Sequence, residues 1–250
     1  MGSMGSTFNI QNYKMPLLLI ETATTVCSVA LSCNGAVVEQ RESDQPNAHS
    51  SRLATFVDDM FKKQGMSFSA LDGICVSSGP GSYTGLRIGV SYAKGLCYAL
   101  DIPLLAVPTL QSMAAGYFAS HPDYEGLVCP MLDARRMECY TAIYARAPFS
   151  DILEVREVAA DIVEPHCYDR WLADREVLFL GDGAEKTRPI LGIHPNARYD
   201  TEFRINAASM LPIAQTKLEQ GRVEDVAYFE PFYLKDFVAK KSVVRGLRDN

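Results

Sequence analysis

The sequence predicts an α/β fold of two related lobes, each a mixed β-sheet flanked by helices. Three β-rich runs open the chain and are followed by alternating helical and β-rich runs, which favours a mixed sheet with helices on both faces. Past Gly116 the pattern partly restarts. No Pro- or Ser-rich linker separates the halves, so we expect lobes that touch and divide near residue 112.

The first half supplies elements in the order βββαβαβα. Its first apolar run is typical of a strand buried on both faces. Asn34-Gly35 indicates a hairpin, because this dipeptide suits a type I′ turn. Apolar residues at spacings of three and four predict an amphipathic helix that ends at Gly65. The predicted elements are strands over 16–21, 26–33, 36–41, 74–78 and 104–107, helices over 50–64 and 85–100, and a helix that starts after Pro108-Thr109.

In the second half, residues 127–132 and 137–145 are predicted strands joined by Asp133-Ala134-Arg135-Arg136. A further strand over 177–180 enters Gly181-Asp182-Gly183, and residues 207–219 form a helical pattern. This element order is that of ribonuclease-H-like or actin-like lobes. We therefore predict an N-terminal lobe over 15–112 and a C-terminal lobe over 113–250 that ends in a basic tail.

Composition limits the functional classes. At 250 residues and 48% hydrophobic, the chain is long enough for a large core. A net charge of −6 argues against broad, autonomous nucleic-acid binding, which usually leaves a basic footprint. Seven scattered cysteines without a Cys-x-x-Cys pair predict reduced core residues in a cytoplasmic protein, and no apolar run predicts a membrane span. The opening Met1–Ser6 looks like a cloning remnant, and residues 1–14 are expected to lie outside the fold.

The Gly-rich stretch 77–90 is the candidate binding motif. Gly79, Gly81 and Gly85 remove Cβ atoms where a backbone approaches a ligand or another chain closely. Ser82 adds a hydroxyl, and the helix that follows would aim free N–H groups at an anion such as phosphate. The spacing matches neither the Walker form nor the dinucleotide fingerprint. A turn that only packs a helix tightly on a strand remains the alternative.

Several motifs together resemble the TsaB (YeaZ) family of bacterial tRNA threonylcarbamoyladenosine biosynthesis proteins, within the glycoprotease-like group. They are Leu19–Thr24, the loop Gly79–Gly89, Leu132–Arg135 and Pro231–Leu234. The resemblance covers the chain from Met15. It implies an actin-like two-lobed fold and membership of the complex that places a threonylcarbamoyl group on an adenosine beside the tRNA anticodon. In that family the chain is a non-catalytic partner of a catalytic paralogue, TsaD, in an assembly with the ATPase TsaE.

The resemblance also implies a vestigial phosphate or nucleotide site. Glu21 departs from the Asp that actin-like members usually carry there to hold a metal-bound water or phosphate. We expect no required cofactor and at most weak nucleotide binding. The candidate residues are Glu21, Thr22, Gly79, Gly81, Ser82, Gly85, Asp133, Gly181 and Gly183.

No catalytic residue and no metal site are predicted. The catalytic paralogue holds its metal with a His-x-x-x-His pair, and the matching segment here, Pro108–Met113, lacks both histidines. A nucleotide-binding phosphotransferase of the actin-like class is the alternative, although only Arg87 offers a cation near the loop and phosphoryl transfer needs clustered charge. A glycoprotease-type metallopeptidase has less support, because both histidine ligand positions are lost. A Ser or Cys peptidase is also disfavoured, because no Ser or Cys lies in a nucleophile context.

A scaffold would act through a surface, and the resemblance points to the helix over 50–64 and the helix after the Gly-rich loop. They would pack on the equivalent pair of TsaD, or on a second copy when TsaD is absent. Phe56, Met60 and Phe61 would supply apolar anchors, although the same side chains could equally face the core. The predicted interface residues are His49, Arg52, Phe56, Met60, Arg87, Gly85 and Gly89. Bulk tRNA binding is expected to fall to the partners, and the basic tail from Lys240 to Arg248 is expected to be disordered.

Overall fold

The computed structural model describes residues 15–45, 47–147 and 152–235, which form two five-stranded mixed sheets flanked by helices. The predicted α/β class is therefore confirmed. The residues over 1–14 and the basic residues from Lys240 lie outside this described part. None of its helices has the length and apolar character that crossing a membrane requires. All seven cysteines are free, and only Cys167 is exposed.

The first sheet has the strand order β3-β2-β1-β4-β5. Its central strand β1 is buried along its whole length, as its continuous apolar run predicts. It pairs antiparallel with β2 and parallel with β4. Asn34 and Gly35 form the β2–β3 turn with φ of 53° and 79°. The strands are β1 Leu17–Glu21, β2 Cys27–Cys33, β3 Ala36–Ser43, β4 Gly73–Ser77 and β5 Leu104–Val107.

Two long helices cover one face of the first sheet. They are α1, Ala48–Gln64, and α2, Tyr83–Leu100. Gly65 ends α1 in the left-handed conformation, and its N–H donates to Lys62 O at 3.2 Å. Leu53 and Val57 of α1 join Val90 and other apolar side chains of α2 and the sheet in one core cluster.

The second sheet repeats the topology of the first in the order β8-β7-β6-β9-β10. Its central strand β6 pairs antiparallel with β7 and parallel with β9, as β1 does with β2 and β4. The strands are β6 Leu127–Asp133, β7 Glu138–Arg146, β8 Ile152–Ile162, β9 Val177–Leu180 and β10 Ala197–Asp200. The remaining helices are α3 Thr109–Ser120, α4 Asp169–Leu172, α5 Ala184–Leu191 and α6 Leu211–Glu219.

The division between the lobes differs from the predicted boundary at residue 112. Helix α3 spans that boundary and packs on the second sheet through Leu110 and Met113. Residues 207–219 return to the first sheet, where Met210 and Leu211 share a buried cluster with Leu17. Hydrophobic burial therefore assigns α3 to the second lobe and α6 to the first. No single boundary in the sequence separates the two lobes.

The end of the described chain, residues 224–235, runs along the first lobe and reaches the second. Glu224 N–H donates to Leu104 O at 2.8 Å, and Phe232 N–H donates to Ser78 O at 2.7 Å. Lys235 then forms an ion pair with a β7 side chain of the second sheet. This segment, called the C-terminal strap below, connects both lobes beside the Gly-rich loop.

Candidate functional site

The Gly-rich loop leaves β4 and immediately meets the C-terminal strap. Gly79 adopts φ +103°, and a Cβ built there would lie 2.5 Å from Phe232 O. Gly79 N–H donates to Thr109 Oγ1 at 3.1 Å, so its amide is also engaged. Glycine is required here by the positive φ and by the approach of the protein's own strap.

The other loop glycines are covered by the turn that follows β1. A Cβ on Gly81 would collide with Ala23 O, and one on Gly85 would collide with Thr22 O. Ser82 N–H donates to Ala23 O at 2.6 Å, and Ser82 Oγ accepts Gly85 N–H at 3.2 Å as the N-cap of α2. These contacts match the alternative of a tight packing turn, because protein atoms occupy the space that the glycines open.

Glu21 is sealed beneath this loop. It ends β1 with no exposed surface, and its Oε1 accepts Ala23 N–H at 2.6 Å. Burial raises the pKa of Glu21 to about 7, an effect that the Ala23 N–H donor partly offsets. The neighbouring Thr22 hydroxyl is buried without a hydrogen-bond partner among the described residues and lies where a Cβ on Gly89 would project. These contacts enclose both side chains within the fold.

Asp133 takes the equivalent position at the end of β6. Its carboxylate forms an ion pair with Lys186 and accepts Arg135 N–H at 2.8 Å. Partial burial opposes the charged form, but the Lys186 and Arg135 contacts outweigh it and hold the pKa of Asp133 below its usual range. The sequence analysis did not single out Lys186, which lies 53 residues away on α5.

The second Gly-containing segment repeats the backbone of the first. Gly181 adopts φ +103°, as Gly79 does, and a Cβ there would lie 2.5 Å from Met131 O. A Cβ on Gly183 would lie 3.0 Å from Cys139 Sγ. Both glycines therefore pack closely on strands of their own sheet.

The four histidines bind separate local partners. These contacts are His49 Nε2 with Thr24 O at 2.8 Å, His121 Nδ1 with Tyr117 O at 3.1 Å, His166 Nδ1 with Asp169 Oδ2 at 2.8 Å, and His194 Nδ1 with Asn196 N–H at 3.2 Å. Within residues 15–45, 47–147 and 152–235, no three His, Cys, Asp or Glu side chains converge as a metal-ligand group.

The predicted interface residues separate into exposed and buried sets. Arg52 and Arg87 are exposed, and Phe56 is half-buried against the core of the first lobe. Met60 has no exposed surface and Phe61 is 2% exposed, so neither can serve as the surface anchor that the sequence analysis predicted. A helical repeat of apolar residues does not show which side of the helix is buried. In α1 the side that carries Met60 packs on the sheet.

Gly85 and Gly89 also face inward. A side chain at either position would meet Thr22, and Gly85 additionally contacts His49. These two predicted interface glycines therefore serve the contact between α2 and the end of β1, and they are not available to another chain. Thr22, which covers both glycines, lies more than 60 positions away in the sequence. Residue spacing alone therefore led to the wrong assignment.

A different glycine of α2 faces solvent. Gly95 is exposed, and a Cβ built there has no atom within 4 Å. Glycine inside a helix is less stable than alanine, and no contact within this chain requires it at this position. Thr84, Ser91 and Gly95 lie on one helical face that continues to Tyr98, which is 85% exposed.

This exposed face carries little charge. Helix α2 has only two charged residues, Arg87 and Lys94. Lys94 Nζ donates to Ala227 O at 3.1 Å and Phe229 O at 2.9 Å, so the strap occupies it. Arg87 lies over the Tyr83 ring at 4.8 Å. A solvent-facing helix normally carries a polar, charged outer face, and an apolar or charge-poor one marks an interaction surface.

A groove of about 660 Å³ lies between α1 and α2 on the same side. His49 and Arg87 line it, so the structure brings together two of the predicted interface residues there. Arg52 is not part of the lining. Ala54, Ile88, Ser91 and Tyr92 add small and apolar surface. The groove offers a shallow, mostly apolar site for side chains of another helix.

Comparison with known proteins identifies the family. A family model described as TsaD: tRNA N6-adenosine threonylcarbamoyltransferase matches residues 41–242. The tRNA threonylcarbamoyladenosine biosynthesis protein TsaB of Escherichia coli strain K12 is 33% identical over 232 residues, which cover 92% of this chain and 98% of that protein. The chain belongs to the TsaB family. The TsaB of Bacillus subtilis strain 168 is 36% identical over 172 residues, 67% of this chain and 71% of that protein.

Solved structures agree with this family. A Pseudomonas aeruginosa protein with similarity to peptidase YeaZ is 27% identical, with a TM-score of 0.77 over 89% of this chain and 100% of that one. YeaZ from the same organism is 26% identical, with a TM-score of 0.74 over 88% of this chain and 100% of that one. This TsaB-family chain therefore has the actin-like fold predicted from its element order.

Sequence reasoning missed three features that decide the site. Two are contacts, of Lys186 with Asp133 and of Phe232 with Gly79, and the third is the exposure of Gly95. The first two join residues 53 and 153 positions apart, for which one sequence contains no local signal. Gly95 had a signal, since a glycine stands inside a long helical pattern, but the pattern does not show which side is exposed.

Proposed function

We propose that this chain is a non-catalytic scaffold subunit in tRNA threonylcarbamoyladenosine biosynthesis. It binds a TsaD-type catalytic paralogue through α1 and α2, acts together with a TsaE-type ATPase, and pairs with a second copy when alone. It requires no cofactor of its own and works in the cytoplasm. The observation that carries the proposal is the exposed, charge-poor face of α2 with the unexplained glycine Gly95.

The contacts around the Gly-rich loop and at the ends of β1 and β6 support a role without catalysis. Glu21 is enclosed, Asp133 is engaged by Lys186, and the loop glycines contact the protein's own backbone. Phosphoryl transfer needs charged groups that are free to hold phosphates and magnesium. The phosphotransferase alternative therefore draws no support from these residues. The metallopeptidase alternative draws none from the four histidines, which bind separate local partners.

The surface has the features of a helix-pairing interface. Small residues on α2 permit the close approach of a second helix, and the groove beside them accepts larger side chains. Arg87 in its lining and exposed Arg52 on α1 supply a residue type that is enriched in interfaces. The family resemblance predicts the same helix pair as the contact with TsaD, so geometry and resemblance lead to one surface.

Reconstitution tests the proposal. The cognate TsaD-type and TsaE-type proteins, threonylcarbamoyl-adenylate, ATP and unmodified tRNA are assayed for the modified nucleoside with and without this chain. We expect product only when this chain is present with its partners, and none from it alone. Product or ATP turnover by the isolated chain would overturn the scaffold role.

A surface variant tests the helix face separately. Ser91→Glu adds a charge at an exposed position of the groove, and we expect it to abolish co-elution with the TsaD-type protein. Thr201→Glu, an exposed position after β10 in the second lobe, is the matched control and should co-elute normally. Equal co-elution of both variants would contradict the interface assignment.

A further inference from the structure

The turn between β6 and β7 holds two successive arginines in the left-handed region. Arg135 has φ 74° and Arg136 has φ 50°, and both are exposed. Long side chains rarely adopt this conformation, and such strain clusters at functional sites. In the described part of the chain, no other two successive non-glycine residues share it.

The same chain shows which residues a positive φ favours. Asn34 and Gly35 join β2 to β3 at φ 53° and 79°, and these are the residues that the conformation favours. The β6–β7 turn closes differently, through Glu138 N–H on Arg135 O at 3.1 Å, but Arg135 and Arg136 also have a positive φ, which favours glycine or asparagine over arginine. Their side chains, and not their backbone preference, account for their presence.

Local acidic groups do not explain Arg136. Asp133 is paired with Lys186 and is also stabilised by the charge of Arg135, and Glu138 is paired with Lys235. Among the described residues, Arg136 has no ion-pair partner. The nearby Asp182 carboxylate accepts a backbone N–H of the adjoining strand at 2.9 Å. The turn therefore presents guanidinium groups to solvent beside carboxylates that already have partners.

A further cation lies beside the turn. Glu138 is the first residue of β7, directly after the turn, and its partner Lys235 is the last described residue. Four basic side chains, those of Arg135, Arg136, Lys186 and Lys235, therefore lie at this end of the second sheet in a chain with a net charge of −6. Exposed positive charge on an acidic protein favours contact with a polyanion at that location.

We propose that the Arg135–Arg136 turn binds phosphate groups of an RNA backbone. The proposal rests on the proposed function, in which the substrate of the complex is tRNA. Guanidinium groups match phosphate oxygens in bidentate geometry, and backbone contacts position a nucleic acid without reading its sequence. It revises the expectation that tRNA contact falls to the partner subunits.

The test replaces both arginines with residues that tolerate a positive φ. Arg135→Asn with Arg136→Gly keeps the left-handed turn and removes both charges, so the melting temperature should stay equal or rise. Binding of an unmodified tRNA transcript is titrated across salt concentrations, with the chain alone and with the assembled complex. Loss of two phosphate contacts should reduce the slope of log affinity against log salt by about 1.6 and weaken binding ~40-fold at 0.1 M salt.

The matched control removes the same charge elsewhere. Arg175→Asn with Arg222→Asn alters exposed arginines, one preceding the start of β9 at the opposite edge of the sheet and one near β5 of the other sheet. This control should keep the parent salt slope. The proposal fails if the turn variant keeps the parent salt slope, or if the slope of the control falls by as much. It also fails if the turn variant loses binding to the TsaD-type protein while its tRNA affinity stays unchanged. Failure of the parent chain to join the complex would instead refute the proposed function, and the titration with the chain alone would still test the turn.

Discussion

Replacement of Gly95 by alanine should make the chain more stable and its complex weaker. The added methyl group meets no atom within 4 Å, so the folded chain accepts it without strain. Alanine is favoured over glycine in a helix interior by about 0.8–1.0 kcal/mol. For a chain of this size that gain raises the melting temperature by about 2–4 °C.

The opposite effect is expected on association. If a partner helix approaches at Gly95, an added side chain must displace it, and overpacking of a close contact costs about 1–3 kcal/mol. This corresponds to a loss of roughly 5- to 150-fold in affinity, with Gly95→Leu at the larger end. Calorimetric titration with the TsaD-type protein measures it. Sedimentation equilibrium of the chain alone measures the homodimer that we expect to use the same face.

Gly89→Ala is the control on the same helix. Its methyl group would project into Thr22, so it should lower the melting temperature. Gly95 variants that gain stability and bind the TsaD-type protein as tightly as the parent would refute the reasoning. The exposed glycine would then have no role in helix pairing.

Three further predictions concern Glu21, Met60 and Ser82. Because folded Glu21 keeps its proton to a pKa of about 7 while the unfolded group loses it near 4.5, the free energy of unfolding should fall by roughly 3 kcal/mol as pH rises between these values. Glu21→Gln should remove that fall in pH-dependent denaturant melts. Met60→Lys places a charge in a fully buried position and should unfold the chain, as measured by circular dichroism. Arg52 is exposed, so Arg52→Ala should change the free energy of unfolding by no more than about 0.5 kcal/mol and should weaken partner binding. Ser82→Ala removes the α2 cap and should cost about 1 kcal/mol in the same melts.

Much of the fold was predictable because its signals are local. Asn34-Gly35 determined a hairpin, Gly65 ended α1, and the apolar run of β1 indicated a central strand. Strands β8 and β10 were not predicted, because half-exposed edge strands such as Ile152–Ile162 have mixed side chains without a clear period. Local chemistry therefore determines elements better than it determines sheet edges.

The site was less predictable because its contacts are distant in sequence. The Gly-rich loop has the composition of an anion cradle, and only the positions of Ala23 and Phe232 show that protein atoms fill it. The choice between core and surface for Met60 likewise depends on which face of α1 meets the sheet. Such facts follow from tertiary packing, which one sequence does not determine by local pattern.

The repeated topology gives the chain two equivalent positions, and it neutralises each in a different way. Glu21 at the end of β1 is buried so that it favours the protonated form, while Asp133 at the end of β6 stays charged and binds Lys186. In both lobes the polar group at the end of the central strand helps to hold the fold together. Chemistry directed at other molecules must then use surfaces outside these positions. In this chain the strongest candidates are the glycine-bearing face of α2 and the Arg135–Arg136 turn, each of which has residues that folding alone does not require.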